Sequence, residues 1–211
     1  MKITKLGHAC LLVEMPEPVN RTALFDPGIF SKVDVDSLKF LDDIFITHIH
    51  PDHMDVDLIK QLITKFPEVR VLAPPDAVTK LKEADIQAVS EVPDDGVRLF
   101  QAPHEDLSPM GQAPDEHGIH YLEKLSHPGD SHSFSETMAV LALPVTAPWG
   151  YPLNALKLAM DLKPKYVIPI HDWFWHDDAR AWHYDMFERI LSEQGITLVK
   201  PVNGEAFVLD V

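Results

Sequence analysis

The chain has 211 residues, 45% hydrophobic and 24% charged, a balance that suits a globular domain with a substantial core. Its formal net charge of −15 argues against a protein that grips nucleic acid by neutralising phosphates, because such surfaces are basic. A single cysteine, Cys10, cannot close an internal disulfide, and no run approaches the roughly 18 apolar residues of a membrane span. A soluble cytoplasmic protein without membrane contact is expected.

Ile3 to Glu14 reads as a strand broken at Gly7, followed by a turn carrying Pro16, Pro18 and Asn20. Thr22 to Phe25 is a second strand, stopped by Asp26-Pro27-Gly28, and the pair reads as a hairpin that delivers Asp26 to a strand end. Asp43 to Thr47 is nearly all apolar and is expected to be central and buried on both faces. Leu58, Ile59, Leu62, Ile63 and Phe66 mark one face of a helix over 57–66. Val69 to Ala73 is a strand, and Asp76 is expected to cap a helix ending at Ala84. Ile86 to Val92 is a further strand candidate.

Val97 to Ala102 follows a turn at Asp94-Asp95-Gly96 and runs into Pro103-His104. The stretch from Glu105 to Gly118 is loop-like, as a lid or substrate wall after a strand end would be. Ile119–Leu125 and Met138–Leu143 read as strands, Leu153–Leu162 as a helix, and Tyr166–Ile170 as a strand ending at His171-Asp172. A long helix over 177–194 with Gly195 as its stop, then short strands at 196–199 and 206–209, complete the chain. Strands alternating with helices imply layered α/β architecture in one domain, residues 1–211.

The chemistry concentrates in His48-Ile49-His50-Pro51-Asp52-His53. In an extended segment His48 and His50 point the same way and can grip one ion, while Pro51 helps reverse the chain before Asp52 and His53. Imidazole with carboxylate suits zinc above manganese or iron, and disfavours calcium and magnesium, which prefer oxygen shells. His48/His50, His104, Asp130 and His171 each follow a strand candidate, so side chains distant in sequence can meet at strand ends. Two ions sharing a carboxylate and a water need about one further Asp and one further His per metal, which Asp130, His104 and His171 supply.

On these residues the chain resembles the metallo-β-lactamase superfamily. The resemblance rests on Leu24-Phe25-Asp26-Pro27-Gly28, the His48–His53 motif, His104, His127-Pro128-Gly129-Asp130-Ser131 and Ile168-Pro169-Ile170-His171. Leu6-Gly7-His8-Ala9-Cys10 and the segment from Leu162 to His171 look most like its UlaG-like branch. Two departures stand out: Pro51 replaces a more usual small residue, and Ser131 a more usual Thr. The resemblance implies a four-layer αββα sandwich with mixed sheets and two divalent metal ions. His48, His50 and His104 would hold one ion, Asp52, His53 and His171 the other, with Asp130 bridging. It also places Asp26 beside the site and His8 near the cleft. Trp149, Trp173 and Trp175 follow strand ends and could wall the pocket, although packing is the more common role of such aromatics, and Asp172 is a candidate for its surroundings. His117, His120, His127 and His132 crowd the region of Asp130, and any of them could join or replace a ligand.

The expected reaction is hydrolysis of a small ester-like substrate (a lactone, carboxylic ester or phosphoester) by a metal-bridging hydroxide, with Asp52 orienting the nucleophile and taking its proton. The lactone comes from the resemblance alone. A phosphodiesterase or nuclease is the alternative, and a di-iron redox protein or a non-catalytic metal-binding protein ranks below it. Di-iron chemistry on this fold usually has a carboxylate where His50 stands. The oligomeric state is not legible.

Overall fold

The apolar alternation of the N-terminal segment produces paired strands in the computed structural model, which describes residues 1–92 and 95–211. Among the described residues, twelve strands form two six-stranded mixed sheets, accompanied by four α-helices. The chain folds into two compact units. The first comprises residues 1–93, 114–116 and 202–210, and the second 94–113, 117–201 and 211.

In the first unit β1 (Lys2–Lys5) and β2 (Leu11–Met15) pair antiparallel around a reversal at Gly7. Gly7 has φ +106°, and a Cβ there would sit 2.6 Å from the Phe30 carbonyl oxygen, so the reversal requires glycine. β3 (Arg21–Phe25) continues antiparallel, whereas β4 (Asp43–Phe45) and β5 (Arg70–Leu72) run parallel to it. The last strand, β12 (Ala206–Val208), closes the other edge and gives the order β12-β1-β2-β3-β4-β5. The expected strand at 43–47 is therefore β4, buried between two parallel neighbours. Helix α1 (Val56–Lys65) starts where Asp55 accepts from the amides of Asp57 and Leu58. It buries Ile59 and Leu62 with Leu24, Ile44, Ile46 and Leu81, the last supplied by α2 (Pro75–Glu83).

The parallel part of this sheet is clamped at its start by charge. Asp43 is 1% exposed, and its Oδ2 accepts from Arg21 Nε at 2.6 Å while its Oδ1 accepts from Arg70 Nε at 2.8 Å. One carboxylate thus ties the first residues of β3, β4 and β5 together.

The second unit contains β6 (Val97–Phe100), β7 (Gly118–Tyr121), β8 (Leu125–His127), β9 (Val140–Pro144), β10 (Tyr166–Ile170) and β11 (Thr197–Leu198). Their order is β11-β10-β9-β8-β7-β6, parallel from β11 to β8 and antiparallel beyond. Helices α3 (Pro152–Leu162) and α4 (Asp177–Ser192) bury Leu156, Ala159, Tyr184, Phe187 and Leu191 with Leu141, Leu143 and Val167 of the sheet.

Some expectations need correction. The single strand read over 119–125 is two, because Leu122 and Glu123 adopt φ of 52° and 54° and reverse the chain between β7 and β8. Residues 86–92 contribute one bridge, Val89 to Leu72, in place of a strand. The cap of α2 is Pro74 with Pro75 opening the helix, and Asp76 lies inside its first turn. The turn expected at Asp94–Gly96 falls partly outside the described residues. No described helix is long and apolar enough to cross a membrane.

Replacing Asp43 with Asn should leave two arginines facing a neutral group and cost about 3 kcal/mol of stability. Urea denaturation followed by circular dichroism measures it, and a loss under about 0.5 kcal/mol would show the clamp to be dispensable.

Candidate metal centre

In the first unit the chemistry hangs from the carboxyl ends of β3 and β4, where parallel strands present side chains and backbone groups. β3 ends in Asp26, which is fully buried with φ of 44°. Its Oδ1 accepts the Thr47 amide at 2.7 Å, and its Oδ2 accepts the Thr47 hydroxyl at 2.7 Å and His53 Nδ1 at 2.7 Å. The 26–29 turn is also laced to the motif loop, with Ile29 N donating to Pro51 O and Asp55 N to Pro27 O, each at 2.9 Å. Gly28 makes this approach possible, since a Cβ there would fall 1.9 Å from the Asp52 carbonyl oxygen.

Within that loop His48 is fully buried. Its Nδ1 lies 3.2 Å from Glu116 Oε1, and its Nε2 lies 3.0 Å from His50 Nδ1. A proton held on Nδ1 by the carboxylate makes Nε2 a lone-pair donor, and a cation between Nε2 and His50 Nδ1 satisfies both rings. His53 follows the same logic: Asp26 holds its Nδ1, so Nε2 is the atom that could ligate a metal. His8, at φ 41°, places Nε2 3.2 Å from Asp52 Oδ2. His8, Asp52 and His53 offer ligand atoms within 4.8 Å of one another, as do His48 and His50.

The second unit carries the matching residues at the ends of other strands. His104 donates from Nδ1 to the Glu105 carbonyl at 2.7 Å, and His171, with φ of 61°, donates from Nδ1 to the Thr146 carbonyl at 2.6 Å. Both therefore present Nε2. The two Nε2 atoms face one oxygen, Asp130 Oδ2, at 3.7 Å for His104 and 3.2 Å for His171. Trp149 Nε1 donates to that same oxygen at 3.3 Å, and its ring stands 6.1 Å from His104 and 5.7 Å from His171 between centroids.

Other candidates have different engagements. Asp172 Oδ2 accepts from Arg180 Nε at 2.9 Å and from the Tyr184 hydroxyl at 2.6 Å, so it anchors the segment after β10 to α4. Burial beside that carboxylate pushes the Tyr184 phenol up. His120 stacks on Phe100, its Nδ1 pairs with Ser126 Oγ at 2.8 Å, and burial pushes it down to about 4. His132 gives its Nε2 proton to the Pro144 carbonyl at 2.7 Å, and burial lowers it as well. His127 Nδ1 accepts the Gly129 amide at 3.3 Å, within the turn that carries Asp130. His117, half-buried, precedes β7. Trp175 stacks on His183 against the α3–α4 core. Cys10 is buried and pushed up to about 12, which suits core packing and not nucleophilic attack.

Sequence reasoning missed Glu116. It sits in a stretch with several other acids, and nothing local marks it; only its bridge to His48 across the chain reveals it. The carbonyls of Glu105 and Thr146 were equally invisible, since a backbone acceptor carries no residue signature.

Residues 2–171 match the model of the beta-lactamase superfamily domain. The chain is 33% identical over 196 residues to protein Rv0786c of Mycobacterium tuberculosis, covering 87% of this chain and 90% of the relative. It is 25% identical over 232 residues to the UPF0173 metal-dependent hydrolase PF1764 of Pyrococcus furiosus, covering 99% and 100%. Igni18, a metallo hydrolase from the archaeon Ignicoccus hospitalis, superposes with a TM-score of 0.69 at 20% identity, covering 99% of both chains, and so shares the fold.

Gly28→Ala should force the 26–29 turn off the motif loop and weaken metal affinity by about tenfold or more in a chelator-competition titration. Glu116→Ala, which frees His48 Nδ1, should weaken it by roughly 10- to 100-fold with the far-ultraviolet spectrum preserved. Wild-type affinity in either variant would show that these contacts do not hold the ligands.

Proposed function

This chain belongs to the metallo-β-lactamase superfamily of metal-dependent hydrolases, and from that membership we propose that it cleaves a small ester-like bond in a lactone, carboxylic ester or phosphoester. We infer a single metallo-hydrolase domain over residues 1–211. His48, His50 and His104 would hold one divalent ion and Asp52, His53 and His171 the other, with Asp130 as the carboxylate shared between them. His8 stands beside the second set. Zinc is the first choice of metal, because four or more imidazoles with few carboxylates form a borderline-soft donor set.

The observation that carries this reading is the orientation of the histidines. Glu116, Asp26, the Glu105 carbonyl and the Thr146 carbonyl each face Nδ1 of one histidine, namely His48, His53, His104 and His171. Each ring therefore presents the same atom type, Nε2, and metal-ligating histidines are held in this way. Asp130 adds the second support, since one of its oxygens faces Nε2 of both His104 and His171, as a carboxylate shared between two sites would.

Bound by these donors, two divalent ions would supply Lewis acidity to acidify water and polarise the substrate oxygen. The side chains do the rest. Asp52, whose carboxylate is 22% exposed, would accept the proton of the attacking water, and His8 Nε2 lies 3.2 Å from its Oδ2. Trp149 holds Asp130 Oδ2 through its indole N–H, and its ring stands 5.7 Å from that of His171.

Protein purified without chelator should carry close to two transition-metal ions per chain by elemental analysis. His50→Ala and Asp130→Ala should each lower hydrolysis by more than about a hundredfold while circular dichroism stays native-like. A generic lactone assayed beside bis(p-nitrophenyl) phosphate separates the lactone and phosphodiester readings. Retained activity in both variants would overturn the metal mechanism.

A further inference from the structure

The segment after β10 carries two adjacent exposed aromatic side chains. Trp173 is 49% exposed and Phe174 is 54% exposed, and they follow His171 directly. The Phe174 ring lies 6.1 Å from the His171 ring, and Trp173 packs edge-on against Phe174 at 5.4 Å. Trp149 approaches the His171 ring at 5.7 Å. Three aromatic side chains thus line the surroundings of one proposed ligand, two of them with half their surface open to solvent. Adjacent exposed aromatics of this kind mark binding surfaces in soluble proteins.

The distribution of positive charge supplies the second observation. No lysine or arginine lies between Lys5 and Arg21, between Lys39 and Lys60, between Arg98 and Lys124, between Lys124 and Lys157, or between Lys165 and Arg180. Those intervals contain every residue proposed to hold metal, and His8. The first cation after His171 in sequence, Arg180, is committed to Asp172 Oδ2 at 2.9 Å, Asp177 Oδ1 at 2.6 Å and the Trp175 carbonyl at 3.1 Å. The sequence segments that carry these residues therefore offer no arginine of their own to a phosphate or carboxylate on the substrate away from the reacting bond.

We propose that Phe174 and Trp173, with Trp149, form the wall that binds the uncharged apolar part of the substrate, so that the preferred substrates are neutral aryl or alkyl esters or lactones and not phosphorylated ones. The proposal rests on the hydrolase reading above and narrows its substrate class. Phe174 and Trp173 contact the part of the substrate that does not react, and they set selectivity through its binding.

Calorimetric titration of the metal-loaded protein with a neutral probe, 3-phenylpropionamide, tests the wall without turnover. Phe174→Ala and Trp173→Ala should each raise its Kd by about tenfold, whereas Trp182→Ala, which removes an exposed aromatic of α4, should leave it unchanged. In kinetics, the ratio of kcat/KM for p-nitrophenyl hexanoate over acetate should be about ten in the wild type and fall towards one in the two wall variants. Equal probe binding in wild type and wall variants, or a wild-type ratio near one, would overturn the proposal. Tighter binding of phenyl phosphate than of the amide to Asp130→Ala protein would also overturn it, by revealing an anion site independent of the metals. Undiminished ester hydrolysis by Asp130→Ala would instead count against the hydrolase reading, and the amide titration would still decide the wall.

Discussion

A single buried carboxylate organises the motif loop. Asp26 commits both oxygens to the residue that opens the loop and to the histidine that ends it, through the Thr47 amide, the Thr47 hydroxyl and His53 Nδ1. A carboxylate without water must find such partners or bear a desolvation cost of several kcal/mol, so the loop is folded around it. The contact also locks the proton on His53 Nδ1. Packing alone could not do this, because an imidazole ring has nearly the same shape in either tautomer.

The same device recurs with different chemistry. A glutamate faces His48, while backbone carbonyls face His104 and His171. The backbone itself is bent to reach these positions: His8, Asp26 and His171 all have positive φ, a conformation that costs about 1 kcal/mol or more for a residue with a Cβ. Strain of this order persists only where surrounding contacts over-determine it. At Asp26 those contacts are visible as three hydrogen bonds, and at His171 as the Thr146 carbonyl on one side and the Asp172 anchor to Arg180 and Tyr184 on the other.

Much of the fold was legible because its elements obey local rules. β10 matches the residues expected from Tyr166 to Ile170, and α1 and α3 fall within one residue of their apolar stripes. The failures have physical causes. Leu122 and Glu123 look like strand residues but take left-handed conformations between β7 and β8, a reversal without the usual glycine. Residues 86–92 have strand composition yet make one bridge, because β5, their partner, is only three residues long. Of the four histidines that crowded the Asp130 region, His120 belongs with Phe100 and Ser126, and His132 with Pro144, which only the register of β7 and β8 could reveal.

The sequence by itself determined the donor types and their local order: His48, His50, Asp52 and His53 lie in one short loop, so their spacing is their geometry. It also determined that the sequence segments carrying them hold no lysine or arginine between Lys39 and Lys60. Tertiary structure decided what stands behind each proposed ligand. Glu116 meets His48, Asp26 meets His53, and Trp149 meets Asp130 because strands and loops distant in sequence end side by side. A hydrogen bond depends on position to within a few tenths of an ångström, and no residue pattern carries that information until the sheets have set their register.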